Sequence, residues 1–356
     1  MRFCILYFIL ILLVYPSAAK IDLIRSIGDD SNDEYIFFMI SGAVMSDQKD
    51  IFVADIKGYY VSKYNWEGVF QKRVGQHGRG PKDFLGLQHL RYFKNRIYIM
   101  DWKNNRIASA DTDLENFEYF TLGNFKYKSQ LFRNMVRDYF CLDENRFLGL
   151  LPLSQKSQIS LCIINKKEKT VEKTFHDYMP IDKSLLIISA MSSTWAEPIV
   201  GINYRSRRLI ASSRISEKNI KFFIYTFSGE LVKMSTLEQE KNFEFPIQLF
   251  NTPVRDRKKL KEKINYSGIN SIHSMGDYFL VVIQEFLNVE QFGAEANNEI
   301  QSFILVLDKN GNFIYKQKIP KFLHIYYISP DGYVLAKDDT EEDVQKLLIY
   351  KLELKK

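Results

Sequence analysis

The residues best equipped for chemistry in this sequence of 356 residues are five histidines and one segment that mixes aromatic rings with arginines. His77, His89, His176, His273 and His324 are scattered, with no His-x-x-x-His or Cys-x-x-Cys spacing, so no local pair of metal ligands exists. Isolated, hydrogen-bonded histidines are the ordinary expectation. Only a fold that gathers distant segments would bring His89, His273 and His324 around a divalent ion, and no other cofactor is expected. Tyr178 and Trp195 are followed by Tyr204, Arg205, Arg207 and Arg208. Rings beside guanidinium groups hold sugars, peptides or carboxylates, because the rings stack while the guanidinium forks donate hydrogen bonds. These six are the candidate ligand-binding residues, with ordinary packing as the alternative.

Other chemistry is excluded by what the motifs lack. The glycine-rich run from Gly75 to Gly80 has no Lys-Ser or Lys-Thr after it and opens no helix, so it is not a phosphate loop. No Gly-x-Ser-x-Gly elbow is present, which leaves a serine hydrolase without its nucleophile. The acidic clusters Asp29 to Glu34 and Asp338 to Asp343 do not follow the spacing of a calcium hand and read as solvated loops.

The elements that must position these residues are short strands. Runs at 51–55, 59–64 and 69–74 form a strand, turn, strand, turn, strand unit preceded by another strand at 40–45, and 87–92, 96–101, 105–110 and 117–121 repeat it. The cadence returns at 146–151 with 159–164, 208–212 with 221–225, 278–283 with 303–307, and 332–336 with 346–350. The turn before the last strand recurs as Asn65-Trp66-Glu67-Gly68, Thr226-Phe227-Ser228-Gly229 and Asp308-Lys309-Asn310-Gly311. Glycine in the last place supplies a positive φ. Six four-stranded antiparallel units predict an all-β fold, a six-bladed β-propeller. The sixth unit lacks a fourth strand, whereas 21–27 is a strand without a unit, so the N-terminal strand is expected to close the ring. At about 56 residues per blade the units are long, and the surplus falls at 176–196, 237–267 and 285–301. Thr252-Pro253 before a basic run predicts a short helix over 253–264. Tyr178, Met179 and Trp195 in the first insertion and Phe286 and Phe292 in the last are where a ligand would be sought, with packing as the alternative for the aromatic rings.

Composition sets the compartment. Arg2, the apolar run Ile5 to Val14 and Pro16-Ser17-Ala18-Ala19 have the layout of a secretory signal peptide cut after Ala19, and the apolar run is shorter than the roughly 20 residues that span a bilayer. Residues 20–356 are then a single exported domain, periplasmic or at the cell surface, with no transmembrane segment after cleavage. The net charge is +6, but Arg255 to Lys263 carries six basic and two acidic residues, so the remainder is nearly neutral and nucleic acid is not an expected partner. Cys141 and Cys162 are too few for a disulfide scaffold and are expected as buried thiols.

Within this pattern, Gly78-Arg79-Gly80-Pro81-Lys82-Asp83-Phe84, the strand ending at Asp101 and the following Asn105-Arg106-Ile107 resemble the NHL-repeat-like and TolB-like six-bladed propellers of exported bacterial proteins. Residues 50–68 form a weaker second copy, and the later blades share only the strand cadence. The residues read as structural. Gly78 and Gly80 allow a tight loop, Pro81 fixes its φ, and Phe84 plugs between blades. Asp101 is expected to accept backbone N–H groups of the turn that follows it, and Arg106 to pair with a neighbouring blade. Lys82 stands where related proteins often carry glycine, so a positive φ is not expected there. The leading functional expectation is a non-catalytic, monomeric propeller that binds a glycan, peptide or protein through one face and its insertions. The resemblance also implies an alternative, a lyase, hydrolase or lactonase with a divalent ion on the axis.

Overall fold

The computed structural model describes residues 20–29, 32–127, 130–132, 136–152, 159–178, 198–213, 215–216, 219–238, 264–289, 299–319, 323–338 and 345–354. The signal segment 1–19, Met179, Trp195, Phe292 and the helix expected over 253–264 lie outside them, apart from Ile264.

Six antiparallel sheets follow one another along the chain. Their first strands are Ile40–Met45, Leu87–Phe93, Tyr139–Cys141, Pro198–Asn203, Ile264–Met275 and Leu323–Ile328. The first strands of blades one and two, four and five, five and six, and six and one pack on one another, and the later strands step outward, with the short strand Ile215–Ser216 paired to the inner edge of Ile264–Met275. The sixth sheet runs Leu323–Ile328, Tyr333–Asp338, Leu347–Glu353 and then Lys20–Ile27, so the N-terminal strand supplies the missing outer strand. It pairs from Lys20 opposite Glu353 to Ile27 opposite Leu347.

Closure follows from where the apolar residues are buried. Alternation along each strand sends side chains to both faces of its sheet, and each face packs on the next blade. Blades one and two share a core around Phe52, Phe84 and Ile99. Met100 and Phe147 join two to three, and Leu161 and Leu209 join three to four. Phe222 and Val281 join four to five, and Val306 and Val334 join five to six. Met45, Tyr64, Ile27 and Ile349 join six back to one. Six cores for six blades make a closed ring.

The recurring turn has one hydrogen-bond pattern. In Asn65 to Gly68, Thr226 to Gly229 and Asp308 to Gly311, the glycine N–H donates to the first residue's carbonyl. That residue's side-chain oxygen accepts the N–H four positions on, from Val69, Glu230 and Asn312 respectively. All three glycines have positive φ. Asp111 to Leu114 makes the same turn with Leu114 in the left-handed region, which is why the glycine signature misses blade two.

Several elements depart from the sequence reading. A hairpin of Phe125–Tyr127 and Gln130–Phe132 is added to the outer edge of blade three. Ile264–Met275 and Tyr278–Val289 are each 12 residues long, so the ends of the expected insertions 237–267 and 285–301 are strand, with Phe286 paired opposite Tyr266 and Ile300. His176 likewise belongs to the strand Thr170–Tyr178 rather than to an insertion.

Candidate functional site at the propeller axis

The strand order fixes which connections share an end of the ring. Connections from first to second and third to fourth strands lie at one end, and none exceeds six residues. Connections from second to third strands and from blade to blade lie at the other. There the chain spends 19 residues between Tyr178 and Pro198 and 25 between Glu238 and Ile264.

Four first strands carry an extra residue. Pairing slips between Ile40 and Gly42, Gln88 and Leu90, Ile269 and Ser271, and Ile325 and Tyr327, which makes Ser41, His89, Asn270 and Tyr326 bulged. A bulge re-aims side chains that strict alternation would send into the inter-blade cores. His89 takes a left-handed φ of 44°.

Around these bulges polar side chains collect at the axis. Arg91 donates to both oxygens of Asp138, at 3.2 and 3.3 Å, with its guanidinium 4.5 Å from the centre of the Phe140 ring. His89 Nδ1 lies 3.8 Å from the same carboxylate, which also accepts the Tyr139 N–H. His273 Nε2 is 2.8 Å from Ser271 Oγ. Burial pushes the His273 pKa down to about 3, helped by the positive charge of Arg91 and by His324, against a backbone hydrogen bond at Ile325. The His324 ring sits 4.7 Å from that of Tyr326, whose hydroxyl donates to the Ile40 carbonyl. The three histidines thus occupy first strands of blades two, five and six. His273 and His324 are neighbours, whereas His89 turns to Asp138. Among the described residues no three His, Cys, Asp or Glu side chains are grouped to hold a metal ion. Asp138 precedes its strand, and His89 and His324 lie near the starts of theirs, on the side of the long connections, whereas Arg91 and His273 lie in the later halves of theirs.

The aromatic and arginine candidates divide between the two ends. Tyr178 finishes a strand at the long-connection end, with its side chain outside the described residues, as Trp195 is. Tyr204, Arg205 and Arg207 form a short turn at the opposite end, beyond the six-residue strand Pro198–Asn203, roughly 20 Å long. Tyr204 donates to the Cys141 carbonyl and lies 5.2 Å from the Phe93 ring, and burial of its hydroxyl end pushes its pKa well up. Arg205 faces Asp277, Arg207 lies over Phe227, and Arg208 starts the next strand. These groups serve separate neighbours and form no common fork.

The loop that carries the family resemblance is a buried junction. Phe84 is fully buried between blades one and two. Asp83 accepts the Gly80 N–H, and its carboxylate lies where a Cβ on Gly78 or Gly80 would fall. Pro81 and Lys82 complete the turn, and Lys82 has no positive φ. Arg106 donates to the Gly80 and Asp83 carbonyls and pairs with Asp101. Asp101 accepts the Leu85 and Gly86 backbone N–H groups of the preceding loop, and from the turn after it the Asn104 side-chain amide rather than a backbone N–H. Asn105 takes φ 53° and closes that following turn through its own N–H to Trp102. Asp55 is the first-blade counterpart, accepting N–H groups of Phe38, Met39, Lys57 and Gly58. Cys141 and Cys162 are buried thiols, and burial pushes Cys141 up to about 12.

No protein-family model matches the sequence, and no curated protein matches it significantly. Solved structures do match. A DUF4221 family member from Bacteroides vulgatus aligns with a TM-score of 0.60 at 10% identity, over 95% of this chain and 99% of that one. A protein of Bacteroides fragilis, named as a candidate exported protein, aligns with a TM-score of 0.55 at 11% identity, over 94% and 96%. The shared fold is the six-bladed propeller, and at such identities the likeness extends to fold alone.

Proposed function

We propose that the protein is an exported binding propeller that takes a glycan, peptide or protein at the end of the ring where the long connections gather, with Arg91, Asp138, His89 and His324 at the floor of the site. The observation that carries this reading is the asymmetry of the two ends. One has only tight turns, whereas the other combines long connections with the axial polar cluster, the arrangement by which rigid scaffolds present binding loops. The Arg91 and Asp138 charges offset each other and His273, its pKa held down near 3, is neutral, so the floor offers hydrogen bonds with little net charge. That suits a sugar or a peptide backbone.

Export enters through residues 1–19, and cleavage after Ala19 would release Lys20, the first residue of the closing strand. Among the described residues no helix is long and apolar enough to cross a membrane. N-terminal sequencing of the secreted protein should begin at Lys20. A thermal-shift screen of neutral oligosaccharides and peptides tests the binding site, since a ligand specific for the folded state raises the melting temperature. The stabilisation should be lost in His89→Ala and His324→Ala and kept in Arg205→Ala at the opposite end. Equal stabilisation of all four proteins would place the site elsewhere.

A further inference from the structure

We infer that the seam between blades six and one carries a second binding site, for the carboxylate or sulfate groups of an acidic glycan. It lies at the short-turn end, away from the axial floor, and does not depend on the reading given above. Three cations meet two rings there. Lys49 Nζ is 5.3 Å from the centre of the Trp66 ring and 4.8 Å from that of Tyr333. Arg25 lies 5.0 Å from the Trp66 ring, and Lys351 Nζ is 4.1 Å from the Tyr333 ring. The two rings are 4.6 Å apart.

Among the described residues, none of these three cations has a carboxylate within ion-pair distance. Two acids are nearby: Asp331, whose side chain accepts the Ser329 hydroxyl while Lys351 reaches only its backbone carbonyl, and Asp22, opposite Lys351 on the closing strand, which pairs with Lys20. Ring faces hold cations in place without neutralising them. The result is a cluster of like charges fixed in advance and lacking a counter-ion. Oxyanions are its chemical complement, because ammonium and guanidinium donors form their strongest hydrogen bonds to charged oxygens. All five side chains are partly buried between two blades. A chain can lie in such a seam, whereas a flat bilayer reaches it poorly, which favours a glycan over a lipid surface.

Calorimetric titration of the full secreted chain with oligogalacturonate and with a sulfated oligosaccharide tests this site. Binding of at least one is expected, weakening as salt rises, and Lys49→Gln/Lys351→Gln should reduce affinity by about tenfold or more. Lys351→Gln alone should give an intermediate loss and guards against a folding defect in the pair, with melting temperature measured for each. Lys258→Gln/Lys259→Gln should bind normally, which distinguishes the seam from general attraction to the basic run. No binding of either oligosaccharide, unchanged affinity in the seam variants, or binding only to phosphatidylglycerol vesicles would overturn the proposal.

Discussion

His273 is the residue through which pH should reach the axis. Its folded pKa is depressed to about 3, by burial first and by Arg91 and His324 after it, whereas an unfolded histidine titrates near 6.5. Between those values the unfolded chain binds a proton that the folded chain refuses. This contribution therefore costs nothing above about pH 6.5, and stability falls as pH drops toward 3, by no more than about 1.4 kcal/mol per pH unit. Urea melts from pH 7 to 4 should show that decline, and His273→Asn should flatten it. Phe84→Ala should destabilise by about 3 to 5 kcal/mol, because it empties a fully buried site between two blades, and a loss under 1 kcal/mol would contradict that role. The buried thiols should resist a thiol reagent until the chain unfolds. At this scale the plugging role of Phe84 was readable from sequence, since it acts within a contiguous loop, whereas Arg106 pairs with Asp101 of its own blade and with the preceding loop instead of a neighbouring blade. The Arg91–Asp138 pair was not, because 47 residues separate its members and neither belongs to a motif.

Among the elements, the recurrent turn was legible and its limits are physical. Glycine marks it only where a positive φ lacks a substitute, and Leu114 shows that a buried leucine can hold the same conformation. Crowding ranks the three glycine turns. A Cβ on Gly229 would come within 2.7 Å of the Phe175 ring and one on Gly311 within 2.8 Å of Ile224, but one on Gly68 would stay 3.3 Å from Ile27. All three alanine variants bear the backbone strain of about 1 kcal/mol, and Gly229→Ala and Gly311→Ala should lose measurably more in chemical denaturation than Gly68→Ala. Strands of blades one and two were readable to within a residue because strands buried on both faces form short apolar runs, whereas, apart from the closing strand, only two strands were placed in each of blades three to six, and Tyr278–Val289 runs six residues beyond 283. The bulges at Ser41, His89, Asn270 and Tyr326 left no such mark, since an extra residue in a strand changes register without changing composition.

For the whole molecule, the chain is held as a ring by one strand borrowed from its other end. Lys20–Ile27 pairs along Leu347–Glu353, and Ile27 enters the core shared by blades six and one. Removing residues 20–28 opens that seam, exposes an outer edge and should lower the melting temperature sharply. An unchanged melting curve would contradict closure. The missing fourth strand of the last unit and the spare strand at the start made this readable from sequence, whereas the unequal ends of the ring became visible only once strand order assigned each connection to an end. That inequality locates function, and hydrogen exchange tests it directly. With the compound that most stabilises the wild-type protein in the neutral oligosaccharide and peptide screen, exchange should slow at the first-strand starts around Leu87 to Leu90, Tyr139 and Leu323 to Ile325, and remain unchanged at the turn 204–207. Protection confined to the short-turn end, or a screen in which no compound stabilises the protein, would contradict an axial binding site.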